Sequence, residues 1–206
     1  MSDKADREQV RCGFFDKVAN GWEERNYRVE ERGKIEKMFR TLPFSQGMTV
    51  VDIGCGEGVI IPYIRKYTGN NARIIALDAS AEMLKGVIAK DPLVPAIHAM
   101  AENIPLIDNY ADMVLCFSAF PHFSDKGQVA KEFFRILKPG GKAYVLHIDS
   151  SETINRHHDR YAEVAGDYLP CKYTMKNIFT VAGFTEVSCD EGEQHYMFMA
   201  VKPVEE

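Results

Sequence analysis

The stretch Val50-Val51-Asp52-Ile53-Gly54-Cys55-Gly56-Glu57-Gly58 runs from a β-branched strand straight into a turn with glycine at every second position. Glycines so placed let the chain reverse tightly and let a ligand approach the backbone. Twenty residues after Gly58, Asp78 closes a second apolar strand, where a carboxylate can accept both hydroxyls of an adenosine ribose. The glycine spacing is Gly54-x-Gly56-x-Gly58, whereas a dinucleotide site reads Gly-x-Gly-x-x-Gly. Asp52, two residues before the first glycine, would repel a pyrophosphate but suits a ligand carrying an ammonium and a sulfonium. The charge therefore disfavours NAD and favours S-adenosylmethionine. No Gly-Lys-Ser/Thr follows, so a P-loop is excluded as well.

Outward from this turn, strands alternate with helices from about residue 48 to 148. Ile60, Tyr63, Ile64 and Tyr67 form one apolar helical stripe, with Pro62 in its first turns and Thr68-Gly69-Asn70-Asn71 ending it. Ile74–Leu77 reads as a second strand, and Ser80 as the cap of a helix burying Met83, Leu84, Val87 and Ile88. Ala96–Ala99, Met113–Phe117 and Ala143–Leu146 are the next strands. The helix of Val129, Phe133, Ile136 and Leu137 is predicted to stop at Lys138-Pro139-Gly140-Gly141. Apolar strands between amphipathic helices imply a parallel sheet covered on both faces. Before it, Ile35, Met38, Phe39 and Leu42 mark a helix with a mixed-charge outer face. After it come a polar, His-rich segment, Ser150 to Pro170, then a helix capped by Thr174 and stopped by Gly183, and a terminal hairpin around Asp190–Glu193.

Composition sets the outer limits. With 206 residues, 25 Lys+Arg against 30 Asp+Glu and a net charge of −5, the chain suffices for one sizeable core and does not look built to grip nucleic acid. The longest apolar run, Met113 to Phe120, is too short to cross a bilayer, and the N-terminus lacks an apolar leader segment. Five scattered cysteines without a CxxC fit reduced thiols, and a cytoplasmic protein is expected.

Six ordered motifs carry a family resemblance: Val51–Gly58, Ala76–Ser80, Ala101–Pro105, Asp112–Cys116, Arg135–Gly141 and Ala182-Gly183-Phe184. In these, from roughly Phe14 to Pro203, the chain resembles the class I S-adenosylmethionine-dependent methyltransferases, especially the ubiquinone/menaquinone C-methyltransferase branch. The resemblance implies an α/β, doubly wound, mostly parallel seven-stranded sheet whose last strand is antiparallel. It places Gly54, Cys55 and Gly56 along the methionine part of the cofactor, with Asp52 near its ammonium group. Asp78 would hold the ribose, Ala79 and Met83 would flank the adenine, and Phe117 and Ser118 would border the methionine moiety. Ala101 and Glu102 resemble the segment that meets the adenine amine, although Glu102 reads equally as a surface residue. Phe14 through Trp22 resembles a lid, with Trp22 either part of it or a plain core anchor.

The expected division is a single domain over 1–206, with an N-terminal helical lid (1–46), a cofactor-binding core (47–148), a substrate-side insertion (149–172) and a final helix and hairpin (173–206). The expected reaction moves a methyl group from S-adenosylmethionine to a small molecule by in-line displacement, with His147 and His122 as candidate bases. Two alternatives stand beside it: a non-catalytic S-adenosylmethionine-binding or regulatory protein, and a metal-assisted transferase using His147, His157 and His158. The adjacency of His157 and His158 and the lack of a zinc spacing argue against a metal. No stable nucleic-acid complex and no membrane span are expected, and the protein would be a monomer or homodimer.

Overall fold

Alternate residues of each central strand enter opposite cores, which is why the sequence shows continuous apolar runs there. The structure, a computed structural model, describes residues 2–204, with side chains from Glu8 onward. Met1 and residues 205–206, the ends of the expected domain, lie outside the described residues. The elements are α1 (Ser2–Val18), α2 (Trp22–Asn26), α3 (Val29–Phe39), β1 (Thr49–Ile53), α4 (Ile61–Thr68), β2 (Arg73–Asp78), α5 (Ala81–Lys90), β3 (Ala96–His98) and β4 (Ala111–Phe117). A 3₁₀ turn (Phe120–His122) follows, then α6 (Lys126–Ile136), β5 (Leu137–His147), α7 (Ser151–His158), α8 (Lys172–Val181), β6 (Thr185–Gly192) and β7 (His195–Val201).

The described residues form a seven-stranded sheet in the order β3-β2-β1-β4-β5-β7-β6. Neighbours from β3 to β5 pair in parallel, and β7 runs antiparallel to both β5 and β6. The strand order reverses between β1 and β4, and in open α/β sheets ligands bind beyond the carboxyl ends of strands at such a point. Val51, Ile53, Val114, Cys116 and Val145 pack on one face with Phe133 of α6 and Phe179 of α8. Val50, Ala76, Met113, Leu115 and Leu146 pack on the other with Phe39 of α3, Ile64 of α4 and Val87 of α5.

Three local expectations are corrected. Ile88 is 53% exposed, because α5 buries Met83, Leu84 and Val87 and Ile88 lies about 140° round the helix from Met83. The N-cap of α8 is Cys171 rather than Thr174, which lies inside the helix. Lys138–Gly141 does not form a free turn; β5 begins at Leu137, directly after α6, and Gly141 sits so tightly that a Cβ would lie 2.8 Å from the Lys138 carbonyl. Ser80 caps α5 as expected, its hydroxyl accepting the Met83 N–H at 3.1 Å.

Phe179 is the aromatic hub of the α6/α8 face, 4.7 Å from Phe198, 5.3 Å from Phe184 and 5.9 Å from Phe120 between ring centroids. Phe179→Ala is expected to cost about 3–5 kcal/mol in urea unfolding, as buried aromatic truncations do. A loss below about 1 kcal/mol would show that this cluster does not anchor the hairpin.

Candidate functional site

The chain leaves β1 through Gly54, whose φ of +69° suits glycine and whose added Cβ would lie 2.3 Å from the Ala119 Cβ. The turn is pinned from β2, since the N–H groups of Gly54 and Cys55 both donate to the Leu77 carbonyl, at 2.8 and 3.1 Å. At the end of β2, Asp78 accepts the Gly56 N–H on one oxygen and the Ser80 N–H on the other, each at 2.8 Å. Burial nevertheless pushes the Asp78 carboxyl above its usual range, against the pull of those N–H groups. A polar ligand group meeting this carboxylate would complete what two amides begin.

Beyond the strand ends lies a cavity of about 690 Å³, within the roughly 300–1,000 Å³ span of small-molecule sites. Trp22, Gly54, Cys55, Gly56, Asp78, Ala79, Met83, Ala101, Glu102, Phe117 and Ser118 all line it, so the structure brings together every expected cofactor residue except Asp52. Asp52 is fully buried and neither of its oxygens has a hydrogen-bond partner. Burial first, then the charge of Asp78, drives its pKa well above the carboxylate range. An unpaired buried carboxyl is costly and calls for a cationic partner. Glu102 is half-buried: its Oε1 accepts the N–H groups of Ser124 and Asp125 at 2.9 and 3.1 Å, while its Oε2 is buried and unpartnered.

The histidines separate into different environments. His147 ends β5, is 4% exposed, and its Nε2 has no partner. Burial holds its pKa at about 3, which makes it a weak base. His122, in the 3₁₀ turn after β4, has its Nδ1 2.9 Å from Asp167 Oδ2. Arg11 clamps the same carboxylate, donating from Nε to Oδ2 at 2.8 Å and from Nη2 to Oδ1 at 2.7 Å. His157 and His158 both line the cavity from α7. Among the described residues, no three His, Cys, Asp or Glu side chains converge in a manner that could hold a metal.

Several features in and around the site were not visible in the sequence. Tyr27, between α2 and α3, lines the cavity with Ser118, and burial raises its hydroxyl to about 12. Ser118 itself adopts φ +55°, a strained conformation for a non-glycine residue. Arg11 and Asp167 are 156 residues apart, and no local pattern connects them.

Comparison with known proteins agrees with this geometry. Residues 51–145 match the family described as a methyltransferase domain. The ubiquinone/menaquinone biosynthesis C-methyltransferase UbiE of Idiomarina loihiensis is 27% identical over 173 residues, covering 69% of this chain and 68% of that protein. Two solved structures share the fold. A SAM-dependent methyltransferase from Aquifex aeolicus superposes with a TM-score of 0.66 at 22% identity, covering 81% of this chain and 88% of its own. The Haemonchus contortus phosphoethanolamine N-methyltransferase 2, solved with phosphomonomethylethanolamine and S-adenosylhomocysteine, gives 0.68 at 17%, covering 84% and 52%.

S-adenosylmethionine is the cofactor expected from the sequence, and the residues present fit it. A buried carboxyl without a partner, a glycine turn with no room for a side chain at Gly54 and a carboxylate at the second strand end match an ammonium, a close-lying chain and a ribose. Because the folded pKa of Asp52 is raised, its stabilising contribution exists only below the unfolded carboxyl pKa and is lost as pH rises towards the folded value. Asp52→Asn should therefore raise the melting temperature of the ligand-free protein at about pH 7–8 by a few degrees while weakening S-adenosylmethionine binding. Scanning calorimetry and titration test both halves; a lower melting temperature with unchanged affinity would contradict the assignment.

Proposed function

We propose that this class I S-adenosylmethionine-dependent methyltransferase methylates a small molecule that is uncharged or cationic. The carrying observation is that the glycine turn and the His-rich wall of α7 line one continuous cavity, with Phe14, Phe15 and Trp22 from α1 and α2 along it. Bound at the glycine turn, S-adenosylmethionine supplies an electrophilic methyl group on a sulfonium. In this reading Gly54, Cys55 and Gly56 bind its methionine portion, Asp52 answers its ammonium, Phe117 and Ser118 border it, and Asp78 holds the ribose. Ala79, Met83, Ala101 and Glu102 enclose the adenine, and Trp22 belongs to the covering lid.

The charge of the lining supports the choice of acceptor. Seven carboxylate residues line the cavity against two arginines, a balance that attracts cations. Arg11 is already bound to Asp167, and Arg25 donates to the carbonyls of Val18 and Asn20. An anionic acceptor would meet net repulsion from the excess of carboxylates. The apolar walls exclude water, and an enclosed site aligns two reactants for in-line displacement.

The same reading makes residues 1–46 the lid, 47–148 the cofactor core, 149–172 the acceptor-side insertion and 173–206 the closing helix and hairpin of a single domain. It is a cytoplasmic enzyme, monomeric or homodimeric, that forms no stable nucleic-acid complex; among the described residues no helix is long and apolar enough to cross a membrane.

Calorimetry with S-adenosylhomocysteine should give a saturable isotherm that Asp78→Ala weakens about 10- to 100-fold, as expected on losing hydrogen bonds to a charged group. In a methyl-transfer screen, amines and neutral phenols should turn over and phosphorylated or carboxylate acceptors should not. Turnover confined to anionic acceptors would overturn the acceptor class.

A further inference from the structure

We propose that Arg11, Asp167 and His122 form a relay through which the N-terminal helix sets His122 as the proton acceptor for the methyl acceptor. The proposal deepens the small-molecule reading above and rests on it. Asp167 is the centre of the relay: its side chain is 8% exposed, receives both Arg11 bonds, and faces His122 Nδ1 at 2.9 Å. Burial opposes its ionisation, but the bonds from His122 and Arg11 outweigh that and hold its carboxyl below the usual range. An ionised carboxylate only accepts, so the His122 Nδ1 carries a hydrogen, and Nε2 is the lone-pair nitrogen. That ring lines the cavity.

The surroundings keep the lone pair available. Burial holds the His122 pKa below 6.5 even though Asp167 raises it. The titratable and charged groups acting on His122 are Arg11 of α1, His158 of α7, Asp167 in the segment after α7 and His147 of β5, with Lys126 of α6 bonded to the backbone of the same turn. Lys126 donates to the Pro121 and Phe123 carbonyls on either side of the imidazole, at 2.8 and 2.9 Å. His158 donates its Nδ1 hydrogen to the Asp167 carbonyl at 2.5 Å, fixing the backbone that presents the carboxylate. Phe15 packs edge-on against the imidazole at 5.0 Å, so α1 holds the relay through both Arg11 and this ring. His147 is excluded from the role by its pKa of about 3 and its lack of any orienting partner.

The step is a proton transfer alone. The acceptor's N–H or O–H bond gives its proton to His122 Nε2, and the bonding electron pair stays on the acceptor atom. Nδ1 keeps its own hydrogen, and the imidazolium that results is matched by the Asp167 carboxylate. Asp167 and Arg11 are positioning residues, since they act through the imidazole.

Nitrogen-resolved NMR of the full chain, with histidine labelled and His122 assigned through His122→Gln, tests the relay without any acceptor. Wild type should show one tautomer at His122, with hydrogen on Nδ1 and a pKa below 6.5. The two variants should move it in opposite directions. Asp167→Asn removes the group that raises the pKa, so the protonation constant should fall about tenfold and the single tautomer should be lost. Arg11→Gln removes a positive neighbour, so the constant should rise while the tautomer persists. A merely structural role would loosen the site in both variants and raise both values towards the ordinary imidazole. That result, or an Nε2–H tautomer in wild type, overturns the relay. Wild-type binding of S-adenosylhomocysteine, measured alongside, is an independent readout: its absence overturns the reading of the cofactor site, and the NMR result still decides the relay.

Discussion

Where β1 and β4 part, Gly54 and Ala119 approach so closely that a single methyl group on Gly54 would collide with the Ala119 Cβ. Everything in the site is arranged around this contact. It requires glycine at the end of β1, it sets the course of the chain into the 3₁₀ turn, and that turn delivers His122 to the cavity wall. The same reversal carries Gly56 under the Asp78 carboxylate, which joins the first two strand ends into one surface. The sheet supplies rigidity, and the contact converts it into a cradle.

Two unusual charge environments lie on either side of that cradle, and they have different roles. Asp52 is a buried carboxyl without a partner, which destabilises the ligand-free protein and is best explained by a cationic ligand. Asp167 is a buried carboxyl with three hydrogen bonds to its oxygens, from Arg11 and His122, and so is held ionised. In the proposed reading the first answers a cationic ligand; the second brings its own counter-charge from α1. The proposed binding and proton-transfer groups are therefore separate, one at the end of β1 and the other beside the N-terminal helix.

The sheet was legible in the sequence because strand runs such as Thr49–Ile53 and Met113–Phe117 are apolar apart from Thr49 and Asp52, and the helices between them carry clear stripes. The glycine turn and Asp78, which line the cavity, were legible because glycine and aspartate at these spacings have few other uses. What stayed hidden depends on tertiary distance. Asp167 lies in an irregular polar stretch, Arg11 in a charged N-terminal helix, and only folding places them 2.7 Å apart. The two candidate bases, His147 and His122, could be ranked only once burial was known, because both follow strand ends and look equivalent in sequence. Cap details failed for a similar reason: a polar Thr174 reads as a helix cap, but the chain geometry caps α8 three residues earlier, at Cys171.

The central claim, that Asp52 is the counter-charge for the cofactor, is tested most directly by proton release on binding. S-adenosylmethionine should be titrated near neutral pH in buffers of different ionisation enthalpy, with wild type and with Asp52→Asn. Wild type is expected to release protons on binding in excess of the variant, because Asp52 passes from a neutral to an ionised carboxyl when an ammonium reaches it. An identical proton balance in the two proteins would contradict it.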